Sequence, residues 1–232
     1  KIKIKEDKAA QETSITFYTK KKFLYEIIAR PDVDDTAITI LDPVSKSDKL
    51  VVIDPGHGGK DPGAVYSSVY EKDLNLDIAK KLHSLLKEKG VKTYMTRDDD
   101  SFIGLYERAY IANDLNAALF LSIHNNAAGN INFDGTMTLY FPQKSGNKGF
   151  NGERFAQIIQ DKLLEKLGTT DRKIIKRPRL VVLKATKMPA ALAEIGFMSN
   201  KKDINNLKKD EFRQSAAEAL CEAVIKALNE IH

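Results

Sequence analysis

The sequence has one cysteine, few histidines and no long apolar run, and each shortage narrows what the chain can be. Cys221 is the single cysteine among 232 residues, so an internal disulfide and a thiolate-rich zinc site are both excluded. It sits among Ala, Leu and Val on a helical pattern and reads as a small buried hydrophobe rather than a nucleophile. No apolar stretch approaches the roughly 20 residues that span a bilayer. The chain opens at Lys1 on an alternating basic stretch instead of a secretory apolar region. A start at Lys rather than Met reads as a processed or trimmed form, so the absence of an export signal is uninformative.

What is present is the balance of a folded body: 42% hydrophobic and 30% charged residues, with 13 Gly and 7 Pro. That excludes a disordered chain. The net charge of +5, with basic clusters at Lys20 to Lys22 and Arg172 to Arg179, would favour an anionic surface or polymer at low salt. A solvated face explains such runs equally well.

Residues 1–48 carry short alternating stretches (KIKIK, TSITFY, FLYEIIA, TAITIL) between polar or Pro-Asp turns, which predicts a small β-rich N-terminal extension. A Ser-Lys-Ser-Asp-Lys link at 45–49 leads into LVVIDPGHGG, a buried strand entering a loop, and the boundary with a domain at 49–232 is placed there. From that point strands and helices alternate. Helices are expected over 71–89, closed by Gly90, over 104–115, 151–167, and along Phe212, Ala216, Leu220, Val224 and Leu228. Strands are expected at VKTYMT, 118–123, 136–141, 180–185 and 190–195. The fold class is therefore α/β: a three-layer sandwich with a mostly parallel or mixed central sheet flanked by helices.

There are four histidines, and His57 and His124 each follow a buried strand, at the strand ends where open α/β sheets gather their active-site loops. Glycines around His57 let the backbone turn and expose the imidazole. His124 is followed by Asn125 and Asn126 on the same edge. His83 and His232 read as structural. A catalytic zinc takes three ligands from His and carboxylate and leaves room for water; Glu71, opening the helix after the His57 loop, is the candidate carboxylate, although an acid in a first helical turn also suits the helix dipole. Glu194 lies in the apolar strand ALAEIGF, where an ionisable group is expensive unless paired or functional. It could exchange a proton with an attacking water, or pair with a lysine or arginine as a strand carboxylate.

VVIDPGHGGKDPGAV, the Glu71 helix start, TRDDD, the Leu105, Arg108, Ala112 and Asn113 pattern, LSIHNNAA and PAALAEIGFMSN follow one another in this order. Together, over roughly residues 49 to 230, they resemble the zinc-dependent N-acetylmuramoyl-L-alanine amidases. The resemblance implies one Zn2+ held by His57, Glu71 and His124, with Glu194 catalytic. It implies hydrolysis of the amide between N-acetylmuramic acid and L-alanine in bacterial peptidoglycan, by an exported, extracellular or spore-associated wall enzyme of autolysin type. Arg97, Asn125, Phe197 and Asn200 match further family positions, with turn geometry, substrate binding or support of the ligands as their expected roles. Peptidoglycan, and anionic wall polymers through the basic clusters, are the expected partners; a monomer with no nucleic-acid partner is expected.

Some family members carry a helix that blocks the site. The short stretch between His124 and residue 136 leaves little room for one, so an enzyme open without an activator is expected. Similar amidases carry β-rich wall-targeting modules, and residues 1–48 are read either as the remnant of one or as a structural addition. Rival functions are a zinc carboxypeptidase or deacetylase, which would use similar ligands, and a non-catalytic wall-binding module.

Overall fold

The computed structural model describes residues 2–7, 12–17, 24–30, 35–41, 49–142 and 149–231. The Lys20 to Lys22 cluster, residues 45–48 of the link and His232 lie outside them. The chain forms two compact units, Lys1–Val44 and Ser45–His232. The first holds two antiparallel pairs, β1 (Ile2–Asp7) with β2 (Glu12–Phe17) and β3 (Leu24–Arg30) with β4 (Asp35–Leu41).

The second unit contains β5 (Val51–Pro55), the short hairpin β6 (Val65–Tyr66) and β7 (Val69–Tyr70), α1 (Glu71–Glu88), β8 (Thr93–Met95), α2 (Leu105–Asp114), β9 (Leu119–Asn126) and β10 (Thr136–Tyr140). There follow α3 (Gly152–Leu167), β11 (Asp171–Lys176), α4 (Val181–Lys184), β12 (Ala190–Phe197), α5 (Lys201–Leu207) and α6 (Asp210–Glu230). Six strands join in the order β11-β10-β12-β9-β5-β8. β12, β9, β5 and β8 are parallel, while β10 and β11, parallel to each other, run opposite to β12.

Strand side chains alternate between faces. Val51, Ile53, Leu119, Leu121, Ile123, Ala191, Ala193 and Ile195 share one core with the apolar stripes of α1, α3 and α6. Ile78, Leu82 and Leu86 of α1 and Leu220 and Val224 of α6 are fully buried there, each contributing roughly 1.5–3 kcal/mol by leaving water. Val52, Phe120 and Leu192, of the opposite parity, are buried on the other face, the side from which α2 sends Arg108 to Asp54. This is the expected three-layer sandwich. Gly90 takes a left-handed φ of 73° just past α1, as its capping role requires. No described helix is long and apolar enough to cross a membrane.

One expected strand is a helix. Residues 180–185 contain the short α4, with the amides of Lys184 and Ala185 bonding back to Leu180 and Val181. The strand at the sheet edge is β11, read in the sequence only as part of a basic cluster. An edge strand carrying Arg172, Lys173 and Lys176 is protected by charge from pairing with another chain, which is why it shows no apolar run. The apolar pair Val182 and Leu183 is buried from a helical turn instead.

Candidate metal centre

β5 and β9 are adjacent and parallel, so His57 and His124, just past and near their carboxyl ends, emerge at one edge of the sheet. The backbone at His57 is in the left-handed region (φ 61°), followed by Gly58 and Gly59, also at positive φ. A non-glycine residue held there is strained, and such strain gathers at functional sites. Two glycines make the approach of the ligands possible. A Cβ on Gly56 would lie 2.1 Å from His124 Nε2, and one on Gly63 would lie 2.5 Å from Glu71 Oε2.

Both imidazoles converge on one carboxylate oxygen. His57 Nε2 lies 3.2 Å and His124 Nδ1 2.9 Å from Glu71 Oε1, and the ligand atoms of the three residues lie within 4.8 Å of one another. The rings meet edge to face at 4.9 Å. Asp61, a residue the sequence reading did not single out, accepts a 2.8 Å bond from His57 Nδ1. An ionised carboxylate can only accept, so Nδ1 carries a proton toward Asp61, and Nε2 is the ring nitrogen that faces Glu71. Glu71 is held from behind: Oε1 accepts from the Asn125 amide and Asn75 Nδ2, and Oε2 from the Ala64 amide. Asn75, fully buried on the apolar stripe of α1, was also missed; a polar residue between Leu74 and Ile78 was its signal.

Burial works against charge on Glu71, but His124 and His57 outweigh it and hold the carboxyl far below the usual range. Burial likewise opposes the charged form of His57, yet the Glu71 and Asp61 carboxylates keep its pKa above the ordinary imidazole value. Two imidazoles and a carboxylate whose ligand atoms lie within 4.8 Å of one another suit a divalent metal.

Glu194 pairs with His124 across β12 and β9. It is 9% exposed, and among the described residues its buried Oε2 has no hydrogen-bond partner. Burial pushes its carboxyl up to about 7, with His124, Glu71 and His57 all close enough to act on its charge.

The sequence model of the N-acetylmuramoyl-L-alanine amidases matches residues 51–226. The chain belongs to the N-acetylmuramoyl-L-alanine amidase family. N-acetylmuramoyl-L-alanine amidase LytC of Bacillus subtilis is 38% identical over 177 residues, which cover 76% of this chain and 35% of LytC. The catalytic domain of CwlV, an amidase from Bacillus (Paenibacillus) polymyxa, superposes with a TM-score of 0.72 at 37% identity, covering 78% of this chain and 99% of that one. AmiC2 of Nostoc punctiforme gives a TM-score of 0.73 at 34% identity over 78% of this chain and 98% of that one. The amidase therefore hydrolyses the bond between N-acetylmuramic acid and L-alanine in peptidoglycan, and the carboxypeptidase, deacetylase and binding-module alternatives fall.

The remaining family positions of the amidase lie mostly behind the centre. Arg97, 3% exposed, donates to the carbonyls of Pro55, Asp99, Gly56 and Lys72 and so clamps the His57 loop; burial pushes its pKa down to about 10. Asn125 is fully buried and donates to Asn75 Oδ1. Phe197, 2% exposed, packs edge to face on Phe133 at 4.9 Å. These three side chains are buried among protein atoms, and among the described residues Asn125 Oδ1 has no hydrogen-bond partner. Asn200 caps α5 and donates to Ile131 O at 2.9 Å, on the wall of a groove also lined by Asn132, Ser199 and Lys202. Cys221 is buried, as read.

A second buried network was half visible in the motifs. Asp54, fully buried, accepts from Arg108, Thr96 and Ser122. Arg108 also bonds the carbonyls of Pro55 and His57. Burial alone would raise the Asp54 pKa; Arg108 and the two hydroxyls reverse it, leaving it below the ordinary value.

Proposed function

We propose that the amidase is a zinc enzyme in which His57, Glu71 and His124 hold one ion and Glu194 carries the proton of the reaction. The observation behind this reading is the convergence of three ligand atoms within 4.8 Å beside a buried carboxylate oxygen that has no hydrogen-bond partner among the described residues. A zinc ion held by His57, Glu71 and His124 would supply Lewis acidity for a carbonyl and for water. The chain's own groups do the rest. Asp61 fixes the tautomer of His57, and Asn75, Asn125 and Ala64 hold Glu71. Glu194, poised near neutrality, takes a proton from the attacking water and delivers it to the nitrogen of L-alanine as the amide breaks.

Peptidoglycan lies outside the cytoplasmic membrane, so the enzyme acts in the wall after export, where its basic surface meets anionic wall polymers. The stretch between Asn126 and Thr136 carries no helix, which supports a site open without an activator in a monomeric enzyme. Ahead of a catalytic domain at 49–232, residues 1–48 are a β-rich extension with two readings, the remnant of a wall-targeting module or a structural addition. The test is digestion of purified sacculi with and without chelator, followed by mass spectrometry. Stem peptides with free N-terminal alanine, released only when metal is present, are expected; release unaffected by chelation would refute the zinc assignment.

A further inference from the structure

Ten large apolar side chains are exposed among the described residues, and Ile2, Ile4 and Ile15 belong to the first unit. Of the other seven, all but Ile131 lie on the β6–β7 hairpin, beside the His57 loop or on α2: Val65, Tyr70, Phe102, Leu105, Tyr106 and Tyr110. Single exposed apolar residues need no explanation, but a cluster marks an interaction surface.

The cluster is continuous with the metal centre. Phe102 packs where a Cβ on Gly59 would lie, 2.9 Å from its amide, and Gly59 donates to Asp100 at 2.9 Å. Lys72 bonds Asp100 at 2.6 Å and sits 5.9 Å from the centroid of Tyr70. From Phe102 the surface runs along α2, where the rings of Tyr106 and Tyr110, one turn apart, lie 6.0 Å apart and are 58% and 54% exposed.

The chemistry of the surface selects its occupant. Lys72 pairs with Asp100, Glu107 accepts from the Gly104 amide, and the Lys60 cation lies over the Phe102 ring. An aromatic ridge, with one lysine stacked on it, is less suited to an anionic polymer than to a ligand with apolar faces. What is offered is flat aromatic faces, three of them edged by a phenolic hydroxyl. A sugar ring presents the complement, an apolar C–H face rimmed by hydroxyls, and tyrosine carries an apolar body with a polar tip. The amide that this amidase cuts hangs from a sugar of a long glycan, so a bound substrate extends beyond the centre over the surrounding surface.

We propose that Phe102, Tyr106 and Tyr110 form a subsite for the glycan strand of peptidoglycan, stacking on sugars next to the one whose amide is cut. The inference rests on the amidase reading. Its test compares wild type with the double variant Tyr106→Ser/Tyr110→Ser on two substrates: purified sacculi, and a soluble disaccharide-peptide too short to reach the ridge.

The expected result is a roughly five- to tenfold rise in KM on sacculi, the size of losing a modest hot spot. The short substrate should be unaffected and the melting temperature unchanged. Tyr106→Phe/Tyr110→Phe, which keeps the ring faces, should restore most of the loss. Equal effects on both substrates, or none on either, overturn the proposal. So does an unchanged KM accompanied by dissociation of a dimer, which makes the ridge a face between copies, or by a lower melting temperature, which means another part of the chain covers it. Wild-type turnover of the short substrate reports the amidase reading separately.

Discussion

Glu194 of β12 and His124 of β9 stand on the same rung of two parallel strands. The proposed proton carrier and a candidate metal ligand are thereby fixed by backbone pairing instead of by flexible loops. Such placement limits the reorganisation left for the reaction itself.

Glu194→Gln removes the proton carrier and keeps the shape. Turnover of sacculi should fall by about 10²–10⁴ while zinc content stays at the wild-type level. Near-normal release of stem peptides by this variant would mean that Glu194 does not carry the proton.

The raised pKa of Glu194 also has a stability signature. Its folded pKa of about 7 exceeds the unfolded value of about 4.3, so the fold favours the protonated acid. That preference is fully present below the unfolded value and is lost as pH rises toward 7. With chelator present, wild type should lose on the order of 3 kcal/mol relative to Glu194→Gln as pH rises from 4 to 8. Parallel denaturation profiles for the two proteins across that range would contradict it.

Asn75 donates to Glu71 Oε1 and is not itself one of the three candidate ligands. Asn75→Ala should weaken zinc binding roughly 10- to 100-fold, as for other groups that orient a metal ligand, and unfold more readily by about 1–3 kcal/mol. Competition with a fluorescent chelator measures the first; unchanged zinc affinity would show that Glu71 needs no such support.

Asp54→Asn leaves Arg108 as an uncompensated buried charge and should cost about 3–5 kcal/mol in urea unfolding. The folded pKa of Asp54 is depressed. Its contribution is therefore present above the unfolded value of about 3.9 and is lost as pH falls through the lower folded value. The variant should accordingly lack part of the acid-unfolding transition of the wild type. A loss below about 1 kcal/mol, the scale of an exposed pair, would contradict the network.

Legibility followed burial. Strands buried on both faces, LVVID and ALFLSI, announced themselves as apolar runs, and the helices with one apolar stripe were read nearly to their ends. β11 was missed because an edge strand is written in charges, and α4 was misread because a four-residue helix has no period to detect. At the site, His57, His124 and Glu194 stood out as polar groups at or in apolar strands. Asp61 and Asn75 did not, because their meaning lies in contacts made only after folding: a turn that folds Asp61 back onto His57 Nδ1, and a helix register that sets Asn75 under Glu71. The same holds for Arg97, whose four carbonyl partners cannot be read from TRDDD.

The most direct test of the account is zinc stoichiometry by elemental analysis of purified protein, wild type beside His124→Ala, each dialysed against limiting chelator. The account predicts one zinc per wild-type chain and little in the variant, with both proteins folded. Full zinc occupancy in His124→Ala, or a wild type that binds none and still cleaves sacculi, would contradict it.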